Sequence, residues 1–459
     1  MKSCISTLLL LSGMICFGQD IQIKDIQFSQ GYQFSKLSEE NFRFIYRIKG
    51  RDLNQSAFRK IDFNDRLEML DTTLIRLQGN YQLISTTTSK THTVSVFGTG
   101  VTASLVIHFI DNQTEDQLFY PLQIMGFWKK KNPIQLHSSP SSNAIYLLYK
   151  IDKRNWELQQ IDLRGKPIWS KRFTDTKKIY VGNIHLIDDT KLALVRIKHA
   201  GSRKAENEVL VIDGNTGNEV YTHQLFSEDS KSTVDNLIYS DSILYLAGRT
   251  FFKNRVSNQT TGLPYLRQFD SNNASDIKLT SSLMNLKTYW MDVVTTNTGE
   301  RYLIGETFTN EPYGAYFMKG VATGLMTLGL FYVSWTSMKF QQVAVVPLDN
   351  PNAPPLTLVP LTPRRIQLGT YLPGYPFATY SYNTGQVRYW GHDNKESVVL
   401  MNGGSLKRYN LLSKTSEDLG LLPGNSSQIV IHTSEDYLIY LNQRKVNNLI
   451  EFKVLPLTK

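Results

Sequence analysis

Ile184–Ile197 reads IHLIDDTKLALVRI, and Val209–Tyr221 follows it with VLVIDGNTGNEVY. The first segment is an apolar run, a polar Asp-Asp-Thr turn and a second apolar run, which is a hairpin written in β-branched residues. The second is a third strand, a turn and a fourth strand. Asp213 and Asn215 supply Asx hydrogen bonds to that turn, and Gly217 supplies a positive φ. Together the two segments describe a four-stranded antiparallel unit.

The unit recurs. The inner hairpin is repeated as LIYSDSILYLAGRT from Leu237, VVTTNTGERYLIGET from Val293 and IVIHTSEDYLIYLNQ from Ile429. The outer half is repeated as LQQIDLRGKPIW over Leu158–Trp169. Further short apolar runs lie at Phe42–Ile48 and Ala144–Lys150. Almost no stretch of twelve residues has helical period, so the class is all-β. Aligned second strands begin near Ile145, Lys191, Ile243 and Arg301, at spacings of 46, 52 and 58 residues. A four-stranded unit at that period is a β-propeller blade; the competing architectures are a large β-sandwich or two tandem β domains. The turns at Asp162–Trp169 and Asp213–Tyr221 resemble those of quinoprotein-like and WD40-like blades. The expected fold is one ring of seven or eight blades. IQIKDIQF, Ile21–Phe28, is expected to pair with the last strand, Asn448–Val454, and close the ring.

The N-terminus reads MKSCISTLLLLSGMICFGQD. Lys2, an uncharged run from Ile5 to Phe17 and a small-residue exit at Gly18 have the order of a secretory signal peptide. The apolar run is shorter than the roughly 20 residues a spanning helix needs. A lipoprotein signal ending at Cys16 is disfavoured by Met14 and Ile15, which stand where small residues belong. The organisation expected is a signal peptide over 1–18 and a propeller over 19–459. The mature chain is then exported, to the periplasm or beyond, and free of cysteine, since Cys4 and Cys16 both leave. That excludes a thiol nucleophile, a Cys-ligated zinc and a haem attachment site. It also removes the vicinal disulfide that the quinoprotein resemblance implies for cofactor binding, so no cofactor is expected.

Between Phe308 and Phe340 the blade rhythm fails. Residues 320–338 carry no charge: eleven are apolar or aromatic, three are Gly and five are Ser or Thr. The glycines weaken a spanning helix, and the GxxxG at Gly320 and Gly324 is a weak motif alone. An apolar insertion over about 308–363 is expected, packed on the ring or offered to a partner or membrane surface. Its Pro-rich end, from Pro347 to Pro363, is expected to be extended, polyproline-like backbone rather than a central strand.

Chemistry-bearing patterns are sparse. The eight histidines, among them His108, His137 and His185, include no i, i+2 or i, i+4 pair, so no local metal site is expected. No GxSxG elbow and no Gly-rich phosphate loop occur. Ser416, Asp418 and Gly420 match half of a sialidase box, with Pro423 in place of its aromatic. Asp270–Asp276 is oxygen-rich but lacks the glycine and closing glutamate of a calcium loop. Net charge is +10, reduced to +9 without Lys2. On an exported chain that charge argues for glycans, anionic surfaces or envelope proteins, with possible peripheral membrane contact, rather than nucleic acid. The candidate binding residues are Trp128, Lys129, Lys130, Lys131, Phe331, Trp335, Arg364, Arg365, Trp390 and His392. The function expected is non-catalytic binding of a protein or glycan partner. The alternative is a secreted polysaccharide hydrolase or lyase, with acidic residues converging in the ring centre.

Overall fold

The computed structural model describes residues 20–456, outside the segments 29–30, 39, 49–54, 100–103, 123, 125–132, 139–140, 189, 201–205, 226–229, 242, 253–262, 271–272, 278–287, 311–335, 350–356, 369–388, 394–395, 403–404, 422–426, 434–436 and 445–447. Residues 1–18, the expected signal peptide, together with Trp128–Lys131, Phe331, Trp335 and most of the expected apolar insertion, therefore lie outside the described residues.

Among the described residues there are eight sheets, each of four antiparallel strands. Seven run in chain order from the ring centre outward. Blade 1 is β2–β5, from Tyr32–Lys36 through Asn41–Arg47 and Gln55–Asn64 to Met69–Gln78. Blade 2 is β6–β9, from Tyr81–Thr88 through His92–Thr99 and Leu105–Asp111 to Gln117–Pro121. Blade 3 is β10–β13, from Ile134–His137 through Ile145–Lys150 and Asn155–Ile161 to Pro167–Thr174. Blade 4 is β14–β17 (Tyr180–Asp188, Lys191–Lys198, Glu206–Asp213, Glu219–Gln224). Blade 5 is β18–β21 (Ser230–Ser240, Ile243–Phe252, Leu263–Asp270, Asn273–Ile277). Blade 6 is β22–β25 (Thr288–Thr295, Arg301–Asn310, Thr336–Pro347, Thr357–Leu368). Blade 7 is β26–β29 (Tyr389–Asp393, Ser397–Asn402, Ser405–Asn410, Ser416–Leu421).

Blade 8 is completed from both ends of the chain. Its inner three strands are β30–β32 (Ser427–Thr433, Tyr437–Arg444, Leu449–Pro456), and its outer strand is β1, Ile21–Ile23. The register is Ile21↔Phe452, Gln22↔Glu451 and Ile23↔Ile450. The expected ring closure is therefore present, and the blade count is eight. The expected second-strand starts at Ile145, Lys191, Ile243 and Arg301 coincide with β11, β15, β19 and β23.

The core lies between blades. In β3, Phe42, Phe44 and Tyr46 pack toward blade 8 with Ile439, Leu441 and Phe452. Ile45 packs the other way, with Leu83 and Phe97 of blade 2. A second strand is thus buried on both faces, and its six residues from Phe42 to Arg47 are all buried. Comparable apolar seams join blades 2 and 3, 3 and 4, 4 and 5, 5 and 6, and 6 and 7.

Two expectations about blade 6 are corrected. The break is narrower than 308–363: Phe308 still pairs with Phe340, and the two buried rings lie 5.7 Å apart. Residues 336–347 and 357–368 are the third and fourth strands of the blade, so only the connections between strands are extra. Pro360 and Pro363 sit in the outer strand β25, where a missing N–H costs no ladder bond on the free edge. The register there jumps from Phe340↔Arg364 to Gln342↔Pro360, a bulge that absorbs the prolines. Pro351, Pro354 and Pro355 lie outside the described residues. Asp270 pairs with Asn273 in the β20–β21 ladder, and Ser271 and Asn272 of the oxygen-rich segment lie outside the described residues.

The closure predicts a mutational outcome. Ile23 is 4 % exposed. Ile23→Asp puts a carboxylate into the blade 8–blade 1 core and should cost about 3 kcal/mol or more in urea unfolding of the mature chain. Gln22→Asp, on the opposite, exposed side of the same strand, should cost far less.

Candidate functional site

One turn position recurs on a single face of the ring. The turn between the third and fourth strands of a blade opens on Asp or Asn, whose carboxylate or amide oxygen accepts backbone N–H groups. Asn64, Asp111, Asp162, Asp213 and Asn410 all do this. Shortly before the fourth strand, each turn places one residue in the left-handed region: Leu67 (φ 61°), Glu115 (61°), Gly165 (71°), Gly217 (74°) and Lys414 (59°). Glycine does this without strain; Leu, Glu and Lys pay for it, by roughly 1 kcal/mol.

That residue meets the preceding blade. Leu67 is buried in the blade 8–blade 1 core. A Cβ on Gly165 would lie 2.7 Å from Ile107 of blade 2, and one on Gly217 would lie 2.7 Å from Trp169 of blade 3. The Trp169 indole also donates to the Gly214 carbonyl at 2.8 Å. In these seams the turn is closed by shape.

Glu115 closes its seam by charge. Arg43 donates to both Asp62 oxygens at 2.8 and 2.7 Å, to Glu115 at 2.8 Å and to Thr93 at 3.0 Å. The Lys60 ammonium is bonded to Asp62 (3.1 Å), Asp71 (2.8 Å) and Glu115. Both cations have fully buried side chains. Burial works against the Arg43 charge, but Asp62 and Glu115 outweigh it and hold its pKa up. The hydrogen bond from Lys60 holds Asp71 below the usual carboxylate range. Asp62, Asp71 and Glu115 converge closely enough to ligate a cation. The Lys60 ammonium already supplies one, so the group serves as a blade-to-blade clamp.

At Lys414 the seam keeps its apolar core but is open at the rim. Between blades 6 and 7 lies a cleft of about 390 Å³. Its mouth carries Glu300 and Arg301 from the start of β23, Asp349 from the β24–β25 connection, and Leu412 and Lys414 from the blade 7 turn. The volume falls near the lower end of the range of about 300–1,000 Å³ for small-ligand sites. Arg301 donates to both Asp349 oxygens through Nε, at 3.0 and 2.9 Å, and to the Tyr245 hydroxyl of blade 5 at 3.0 Å. This bond raises the Arg301 pKa and lowers that of Asp349, so both stay charged. The Tyr302 hydroxyl donates to Glu300 at 2.8 Å, and burial followed by Glu300 pushes its pKa up to about 12. Lys414 forms no ion pair among the described residues. A deeper chamber of about 20 Å³ shares Tyr302, Pro347 and Lys414 with the mouth and adds Val345, Thr357, Tyr409 and Leu411.

The inner strands carry a different feature. His137 on β10 and His185 on β14 lie on the channel edge of blades 3 and 4. Burial, then the charge of His185, depresses His137 to about 4, and burial lowers His185. His108, stacked 4.2 Å from Phe119 and hydrogen-bonded to Gln117, is also held near 4 by burial.

The sequence-based candidates fall elsewhere. Arg364 and Arg365 are in β25, paired with Phe340 and Lys339. His392 is in β26, opposite Val398, and Trp390 occupies a register shift of the same strand. Ser416, Asp418 and Gly420 lie along outer strand β29. Lys414, Arg301, Asp349 and Tyr409 were not singled out by sequence. The one sequence trace of the site is that Asn410–Thr415 has the Asx pattern of the Asp213 turn without its glycine.

No family model matches the chain, and no curated protein matches it. Among solved structures, the polysaccharide lyase Uly1 is similar over 82 % of this chain and 90 % of its own, at 10 % identity and a TM-score of 0.42. The propeller domain of the trilobed protease from Pyrococcus furiosus covers 83 % and 98 %, at 10 % identity and 0.40. The WD40 domain of SCAP from fission yeast covers 95 % and 96 %, at 9 % identity and 0.44. At these values the likeness is one of fold alone. The sheet order defines the class: an eight-bladed β-propeller whose N-terminal strand completes the last blade.

Two outcomes follow. Lys60→Met removes one of the clamp's two buried cations, leaving Asp71 with none and Asp62 and Glu115 with Arg43 alone, and should destabilise the protein by about 3 kcal/mol, whereas Asp71→Asn, at a partly exposed partner, should cost about 1 kcal/mol or less. Both are read from urea midpoints at fixed pH. The second concerns acid. His108 and His137 titrate near 6.5 when unfolded and near 4 when folded, so their contribution is full above pH 6.5. It is lost progressively as pH falls from 6.5 toward 4, by a few kcal/mol in total, roughly. His108→Phe should flatten part of that slope.

Proposed function

We propose that this protein is an exported, non-catalytic β-propeller that binds a protein or glycan partner at the cleft between blades 6 and 7. The observation that supports this reading is the contrast among the seams. The same turn position closes four seams by packing, shape or charge, and leaves one open at the rim, at ligand size. Asp349 is held charged by Arg301, and Glu300 already accepts the Tyr302 hydroxyl. Two carboxylates so engaged suit recognition better than a glycosidase acid–base pair, which needs one carboxyl protonated. At this cleft the arrangement favours binding over glycoside hydrolysis.

Export is consistent with the fold. Cleavage after Gly18 leaves β1 whole, together with the Asp20–Lys453 ion pair at 3.0 Å. The cleft also carries cationic and aromatic groups of the kind the composition suggested for an envelope partner.

Leu412 is exposed at the cleft mouth, so Leu412→Trp fills the opening without touching the core. Capture of partners from an envelope extract by the immobilised mature chain should fall at least tenfold in this variant, with the thermal midpoint within a few degrees of wild type. Equal recovery by both proteins overturns the assignment of the cleft.

A further inference from the structure

We propose that the occupant of the cleft is a neutral saccharide, held by a hydroxyl group that enters the deeper chamber and hydrogen-bonds to Tyr409. This rests on the cleft being the binding site. Tyr409 is only 2 % exposed, and its hydroxyl makes no hydrogen bond of good geometry; the Thr357 side chain lies near enough to interact with it but is not aligned as a full partner. An unsatisfied buried hydroxyl costs about 1–3 kcal/mol and marks a place where a partner belongs. Tyr409 lines the chamber that shares Tyr302, Pro347 and Lys414 with the cleft.

The chamber admits something small. A volume of about 20 Å³ holds one water-sized group. Its walls are mixed: Val345, Pro347 and Leu411 are apolar, while Tyr409 and Thr357 offer hydroxyls. A hydroxymethyl or ring hydroxyl satisfies both, with carbon against the aliphatic wall and oxygen on Tyr409.

The mouth decides the charge of the remainder. Glu300 and Asp349 contribute two negative charges, Arg301 and Lys414 two positive ones, and the sum is zero. A uronate or other carboxylated ligand would face two fixed carboxylates, and a cationic ligand would face a guanidinium and an ammonium. A neutral ligand presenting hydroxyls meets acceptors on Glu300 and Asp349 and donors on Lys414. Each sugar hydroxyl can donate and accept at once, which matches alternating partners at close spacing. Charged partners on the protein strengthen such bonds.

The test uses the mature full-length chain, titrated by calorimetry and saturation-transfer NMR. The probes are trisaccharides of β-1,4-glucose, β-1,3-glucose, α-1,4-glucose and mannose, with tri-galacturonate as the acidic counterpart. At least one neutral trisaccharide should bind, and tri-galacturonate should bind more weakly. Tyr409→Phe should weaken that binding about 3- to 10-fold, the worth of one neutral hydrogen bond, without lowering the thermal midpoint. Leu412→Trp should abolish it. Three results overturn the inference: no neutral trisaccharide binds, tri-galacturonate binds best, or Tyr409→Phe leaves saccharide affinity unchanged because only a water uses that hydroxyl. If saccharides fail while Leu412→Trp still abolishes capture of a protein partner, this inference falls and the binding role of the cleft stands. If Leu412→Trp changes nothing, both fall.

Discussion

Every seam in this molecule depends on three residue pairs between β1 and β32. A propeller blade has too little core of its own; its apolar faces are covered by the blades on either side. An open arc would leave two such faces wet. Blade 8 therefore needs a fourth strand and blade 1 needs a neighbour, and Ile21–Ile23 helps supply both. Ile21 and Ile23 pack in the same cluster as Phe42, Phe44, Phe63 and Phe452, where ring centroids as close as 4.9 Å join the last strand to blade 1. Closure costs the entropy of joining distant chain ends. Because loop entropy grows only slowly with length, a modest patch of apolar contact offsets it.

Much of this architecture is legible in the sequence, and the reason is burial. Second strands are sandwiched on both faces, so they appear as near-continuous apolar runs such as Leu192–Val195 and Leu244–Ala247. Outer strands face water on one side and are weaker: β5 exposes Met69 and Leu70, and β13 exposes Ile168. The fourth strand of blade 6 was obscured because Pro360 and Pro363 interrupt it, and a lone edge strand tolerates what a central strand does not. The cleft was not legible at all. Arg301, Asp349 and Lys414 come from connections more than 45 residues apart, and only ring geometry brings them together. The aromatic and basic runs in the sequence point instead to Trp390 in β26 and Arg364 in β25.

The seams also show how one backbone position is put to different uses. Its φ is set by the turn, through Asx hydrogen bonds and a return bond such as Lys414 N–H to Asn410 O. Its direction is set by the blade, toward the previous neighbour. Only the side chain is free to vary. Glycine allows close contact, leucine extends the core, glutamate neutralises two buried cations, and lysine stands at an open mouth. At the clamp the turn residue Glu115 meets two cations of the older blade, whereas at the cleft the turn residue Lys414 faces an older blade that carries Glu300, Asp349 and the cation Arg301. Buried ion pairs add little net stability over apolar packing, but they penalise a wrong neighbour strongly.

The antiparallel register of the closing strands has a mechanical consequence. Ile21 lies opposite Phe452, so the chain leaves the ring in both directions from the same end of the β1–β32 pair. Tension applied between the two termini would load these backbone bonds one rung at a time, in the manner of a zipper, instead of sharing the load along the strand. The ring is therefore weakest along one axis, and a pull between the two termini acts directly on the strand that completes blade 8.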